Sequence, residues 1–176
     1  KIKHQKRKCF NSLTLHSKIA LSATQNASVD NYDPSAFIMV LKPDQVETLP
    51  TEYTASFRRA VALNKITLTN VKEAINSVEI TVPEDKFLAG RRYVDLTTAD
   101  FGEIYNGQTN KITVSAPYTE TSLDVWFTSW GVELAEGEKL TVKMTSATKT
   151  YTRTIEAKAA GIRFVEGDLN TLTINM

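Results

Sequence analysis

Cysteine is nearly absent: Cys9 is the only one in 176 residues, so no disulfide can form within the chain and the redox compartment stays open. It follows Arg7 and Lys8, where a lipid-bearing cysteine follows small residues, and reads as an incidental thiol. Histidine is almost as scarce, with two residues to supply imidazole. His4 lies in the basic start of the chain, and His16 shares a strand face with Thr14 and Lys18, which turns it to solvent. The H-E-x-x-H, C-x-x-C, G-x-S-x-G, P-loop and dinucleotide-glycine patterns are all missing, which removes the commonest enzyme classes. No stretch approaches the roughly 20 apolar residues that span a bilayer, and the apolar run 36–41 has strand length. No secretory h-region follows the basic start, because Asn11, Thr14, His16, Ser17 and Lys18 interrupt residues 10–22. Glycine is missing from the first half: all seven fall at or after Gly90, while Pro34, Pro43 and Pro50 punctuate a less regular stretch before it.

Charge of one sign is also unevenly spread. Lys1, Lys3, Lys6, Arg7 and Lys8 all precede the first acidic residue, Asp30. Removing those five from 21 basic residues, against 20 acidic ones, leaves the body with a formal charge of −4. Such a body is not built to neutralise phosphate, so no nucleic-acid partner is expected. Residues 1–10 read as a solvated, disordered tail, with Ile2 alone to anchor Lys1 through Lys8. Hydrophobic residues make up 41% of the chain, enough for one sizeable core or a core plus a smaller lobe. Residues 42–54 read as a loop or linker, so a boundary is expected near residue 56. It separates a partial N-terminal β lobe and linker, 11–56, from a regular β-sandwich, 57–176.

What is present is a period of two. Leu13, Leu15, Ile19 and Leu21 share one parity, as do Val78, Ile80 and Val82, then Ile112, Val114 and Ala116, then Leu123, Val125 and Phe127. The pattern continues through Leu140, Val142 and Met144, through Ile162 and Phe164, and through Leu172, Ile174 and Met176. Alternate side chains of a strand face opposite ways, so these sets mark buried faces of half-buried antiparallel strands. The expected class is all-β, an antiparallel β-sandwich. Asn106-Gly107 predicts a tight hairpin joining 101–105 to 111–115. A second hairpin is expected around 146–148, between 139–145 and 149–155. One short helix is expected around 71–74. Pro83 and Pro117 fall just past strand ends, where a missing N–H does least harm.

Chemistry-bearing clusters are few. The nearest acidic pairs are Glu84 with Asp85, Asp95 with Asp100, and Glu166 with Asp168. Each has a plainer reading as a turn or a strand end, and no catalytic residue, cofactor or metal is assigned. Trp126 and Trp130 flank Phe127 and, with Tyr118, are candidate contacts for a sugar or a protein partner, since aromatics stack on sugars and anchor interfaces. Trp126 has the opposite parity to Val125 and Phe127, which puts it on the other face of its strand, covered by a neighbouring element or open to a partner.

From about Phe57 to Met176 the chain resembles the fimbrillin-like proteins of Bacteroidales. The resemblance is carried by Phe57-Arg58-Arg59-Ala60-Val61-Ala62 before Ile66-Thr67-Leu68, by Ser77-Val78-Glu79-Ile80-Thr81, and by Leu88-Ala89-Gly90 before Val94-Asp95-Leu96. Glu138-Lys139-Leu140-Thr141-Val142, Tyr151-Thr152-Arg153-Thr154-Ile155, and Phe164-x-x-Gly167 before Leu172-Thr173-Ile174 complete it. It implies a two-lobed, transthyretin-like sandwich, exported as a lipoprotein, displayed on the outer membrane and joined to other fimbrial subunits by a donated strand. Thr171, Leu172, Thr173, Ile174, Asn175 and Met176 are then either that donor strand or the last strand of the chain's own sandwich. In related shaft subunits an arginine-specific protease frees the acceptor groove, and the resemblance implies Arg58 or Arg59, before Ala60, as a candidate processing site here. The signal and lipid-attachment motif of the family are not in this chain.

Three function classes follow. The first is a noncatalytic structural or adhesive fimbrial subunit working through sheet edges. The second is a carbohydrate-binding surface module using Tyr118, Trp126 and Trp130, with a host or bacterial surface glycan or protein as partner. The third, a hydrolase, requires paired carboxylates in a concave site.

Overall fold

The computed structural model describes residues 16–41, 52, 54–119 and 121–176. The basic tail, His4, Cys9, Leu13, Leu15 and nearly all of the segment read as a linker lie outside the described residues.

Strand is the dominant element of the described residues, with one turn of 3₁₀ helix at Pro34–Ala36. The strands are β1 (His16–Leu21), β2 (Thr24–Asn26), β3 (Met39–Leu41), β4 (Phe57–Arg59), β5 (Ala62–Thr69), β6 (Ile75–Thr81), β7 (Ala89–Asp95) and β8 (Phe101–Thr109). They continue as β9 (Lys111–Tyr118), β10 (Leu123–Ser129), β11 (Val132–Leu134), β12 (Lys139–Ser146), β13 (Thr150–Glu156), β14 (Ile162–Phe164) and β15 (Leu169–Asn175). The turn of 3₁₀ helix is capped by Asp33, whose carboxylate accepts from the Ser35 N–H at 2.9 Å and from the Asn26 N–H at 2.8 Å. No helix forms at 71–74; Val71 is buried and its N–H bonds to the Thr121 carbonyl, so tertiary contact overrides the local propensity.

A five-stranded sheet in the order β13-β12-β6-β9-β2 faces a three-stranded sheet in the order β10-β5-β15. Alternation decides what lies between them. Val78 and Ile80, Ile112 and Val114, and Leu140, Val142 and Met144 come from the first sheet. Ile66 and Leu68, Leu123, Val125 and Phe127, and Ile174 come from the second, in one continuous core. This is the all-β sandwich that the period of two predicts. A third sheet, β1-β7-β8, continues the body, and the chain changes sheets twice to reach the five-stranded one: at Ser22–Ala23 between β1 and β2, and at Asn110 between β8 and β9.

The hairpin expected at Asn106-Gly107 is therefore not one. Both residues lie within β8, which pairs β7, while β9 pairs β6. Gly107 has φ +62°, and the β7–β8 register shifts beside it, so the left-handed residue serves a bulge instead of a turn. The second hairpin forms as expected, with β12 and β13 paired from Lys139 with Glu156 to Thr145 with Thr150. Two pairings depart from the antiparallel rule: β2 runs parallel to β9, and β15 parallel to β5. Parallel neighbours need a long crossover, and nearly a hundred residues separate β5 from β15.

Strands before residue 56 pair with strands after it: β1 with β7, β2 with β9, and β3 with β4. Leu21, Ala27 and Ala36 belong to the same core as β5 and β10. Gln25, fully buried, joins them most directly: its amide donates to the Thr128 carbonyl at 2.8 Å and accepts from the Thr128 N–H at 2.9 Å. A side chain thus does for the edge of β10 what a neighbouring strand would do.

Candidate functional site

The outer sheet β10-β5-β15 carries most of the residues singled out in the sequence. Its inner face is apolar and its outer face is laid out in rows by register. Trp126 lies beside Lys65 and Lys65 beside Thr171; Asp124 lies beside Thr67 and Thr67 beside Thr173. Trp126 is half-buried, with the Lys65 ammonium 5.5 Å from the ring centroid. Lys65 also pairs with Asp124 at 3.1 Å, and the Thr67 hydroxyl donates to the same carboxylate. Those contacts, the Thr67 hydrogen bond foremost, hold the Asp124 carboxyl below the usual range.

The structure does not bring Tyr118, Trp126 and Trp130 together as a stacking surface. Trp130 is 1% exposed, and its indole N–H donates to the Gly90 carbonyl at 3.3 Å. Tyr118 is also 1% exposed, and its hydroxyl has no hydrogen-bond partner among the described residues. Burial pushes its phenol up to about 12. Both are core side chains: Tyr118 shares the inward parity of Ile112 and Val114 on β9, and Trp130, just past the end of β10, is tied to the main chain of Leu88 and Gly90. Trp126 alone of the three presents ring surface to solvent.

Residues 171–176 lie along β15 and the chain end. Leu172 and Met176 are partly buried and Ile174 is 2% exposed, all packed on the sandwich core, while Thr171, Thr173 and Asn175 face out. β15 is the edge of its sheet, and its parallel register is pinned by polar groups that the sequence reading passed over. The Asn170 amide donates to Asn64 Oδ1 at 3.1 Å, and the Asn64 amide donates to the Ser129 hydroxyl at 2.9 Å. Asn64 is fully buried at a position whose neighbours are apolar. An asparagine on the inward parity of β5, where Ala62, Ile66 and Leu68 are apolar, was the available signal.

Arg58 and Arg59 belong to β4 and are paired with Val40 and Met39 of β3. The Arg58 guanidinium lies 4.5 Å from the Phe101 ring centroid and that of Arg59 5.3 Å from Phe37. Ala60, which follows them, is fully buried and donates its N–H to the Ile38 carbonyl at 2.9 Å. A protease reaches the bond after Arg59 only when this ribbon opens.

The acidic pairs are occupied structurally. Glu84 and Asp85 form a turn closed by the Lys86 N–H on the Pro83 carbonyl. Asp95 accepts from the Thr97 N–H at 2.7 Å and from its hydroxyl, an Asx turn that lowers its pKa. Glu166 is paired with Arg92. Among the described residues no group of three or more His, Cys, Asp or Glu could hold a metal ion, and no helix is long and apolar enough to cross a membrane. Compared with known protein families and with curated proteins, the sequence matches none of either.

Proposed function

We propose that this chain is a noncatalytic structural or adhesive subunit of a cell-surface fimbria, of the fimbrillin-like kind, joined to neighbouring subunits by strand donation at the outer membrane. The observation that carries the reading is β15: a C-terminal strand at a sheet edge, lying parallel to β5, with Leu172 and Ile174 turned to the core. Withdrawn from its own sheet, such a strand leaves a groove along β5 that the same strand of another copy fits by its alternate side chains and main-chain hydrogen bonds. The Asn170 to Asn64 contact fixes one register for either occupant. Work of this kind needs edges instead of a reactive centre, in keeping with acidic residues that are spent on turns and ion pairs.

Size-exclusion chromatography with light scattering, on the chain as given and on a version lacking residues 171–176, tests it. Concentration-dependent oligomers that vanish on truncation, while circular dichroism still reports folded β structure, are expected. A strict monomer at all concentrations, unfolded by the truncation, refutes strand donation. Digestion with an arginine-specific protease tests the accompanying processing step: cleavage after Arg58 or Arg59 that raises the oligomer fraction supports it, and an uncut β4 removes it.

A further inference from the structure

Two adjoining shallow depressions of about 360 and 460 Å³ share Gly131 and Glu166 and lie side by side as an open cleft beside the β7–β8 bulge. Each is within the roughly 300–1,000 Å³ range of small-molecule sites. One end is formed by Phe87, Ile104 and Gln108 over the buried Trp130, and the other by Glu133, Arg163 and Val165.

The polar groups of this cleft are planar and already organised. Arg92 is ion-paired with Glu166, donates from Nε to the Gly102 carbonyl at 2.9 Å, and lies 5.2 Å from the Trp130 ring centroid. Glu166 Oε1 also accepts from the Gly131 N–H at 3.0 Å. At the far end Arg163 grips Glu133 with Nε at 2.9 Å and Nη2 at 2.6 Å. Both arginines are thus matched with carboxylates, and Glu103 adds a further negative charge at the wall. No guanidinium is left over for a phosphate, sulfate or carboxylate, so an anionic ligand is disfavoured. Vicinal hydroxyls, which donate and accept together, suit guanidinium and carboxylate edges held side by side, and the half-buried Phe87 ring offers an apolar surface to a pyranose face. A matched pair in each depression suits more than one sugar ring.

We infer that this cleft binds a neutral oligosaccharide, with Arg92–Glu166 and Arg163–Glu133 as its hydroxyl-binding pairs and Phe87 as its stacking surface. The inference goes beyond the assembly reading and does not depend on strand exchange. The test is an array of neutral, sulfated and sialylated oligosaccharides, followed by NMR titration of the intact chain with the neutral hexasaccharides that score. Binding to neutral chains is expected, with shifts at the Gly131, Gln108 and Glu166 amides and none at Trp126. Glu133→Gln and Arg163→Ala, both at exposed side chains of one proposed pair, are expected to weaken it at least tenfold with the unfolding temperature unchanged. Trp126→Ala is expected to leave it intact. No neutral binding at millimolar sugar, a preference for anionic glycans, shifts confined to strand edges as a bound peptide would give, or full affinity in both variants overturns the inference.

Discussion

Replacing Gln25 by alanine separates two views of residues 16–41: a lobe of their own, or part of the sandwich. The side chain is fully buried, and its amide supplies both hydrogen bonds to the main chain of Thr128, which is itself fully buried. Alanine leaves that N–H and that carbonyl without partners. Each unsatisfied buried group costs roughly 1–3 kcal/mol, so the pair comes to about 4 kcal/mol. At roughly 2–4 °C per kcal/mol for a chain of this size, the unfolding temperature should fall by about 10 °C. Thr128 is also tied to Ala36 through its hydroxyl at 2.9 Å, so loosening one contact loosens the segment around the short helix as well. Calorimetry gives the shift, and hydrogen exchange gives its location: the Thr128 amide should lose protection ahead of the strand interiors. A fall below about 2 °C, with Thr128 still protected, would show that β2 is not coupled to β10 and would refute the account of a single shared core.

Trp130→Ala should destabilise by about 3–5 kcal/mol, as truncation of a buried aromatic does, whereas Trp126→Ala should cost distinctly less because its ring is only half-buried; denaturant titration of the two variants checks this. Asp124 has a lowered folded pKa, so its contribution is present above the unfolded value of about 3.9 and is lost as the pH falls through the folded value. Asp124→Asn should therefore destabilise at pH 7, with the difference from the parent shrinking as the pH falls below the unfolded value and through the folded one, measured as the difference in unfolding temperature between the two proteins. Gly107 has φ +62° and open space where a Cβ would go, so Gly107→Val should cost about 1–2 kcal/mol from backbone strain alone, and Gly107→Asn distinctly less. Equal unfolding midpoints for those two variants would contradict the left-handed bulge.

The class of the fold was legible because it rests on a local rule. Val78 and Ile80, Ile112 and Val114, and Leu140 and Val142 alternate regardless of which strands they pair with, and each ends in the core. Pairing was not legible, because it depends on what the other end of the chain does. Asn106-Gly107 carries the residues of a tight turn, yet it sits where β8 must bend against β7, and the sheet exchange happens three residues later at Asn110. The same limit applies to the candidate site. Parity correctly put Trp126 opposite Phe127, but it could not tell whether the face it shares with Lys65 would be covered by another layer. Trp130 lies just past the end of β10, where parity ceases to hold, and its burial depends on Leu88 and Gly90 arriving from β7 and the turn before it. The Arg92–Glu166 pair spans 74 residues and joins a bulged strand to a loop, so no window of sequence contains it. What the chain offers a partner, an edge at β15 and a cleft beside β7 and β8, is assembled in both cases from segments far apart in sequence. The local signals that announced the fold were therefore silent about the surfaces.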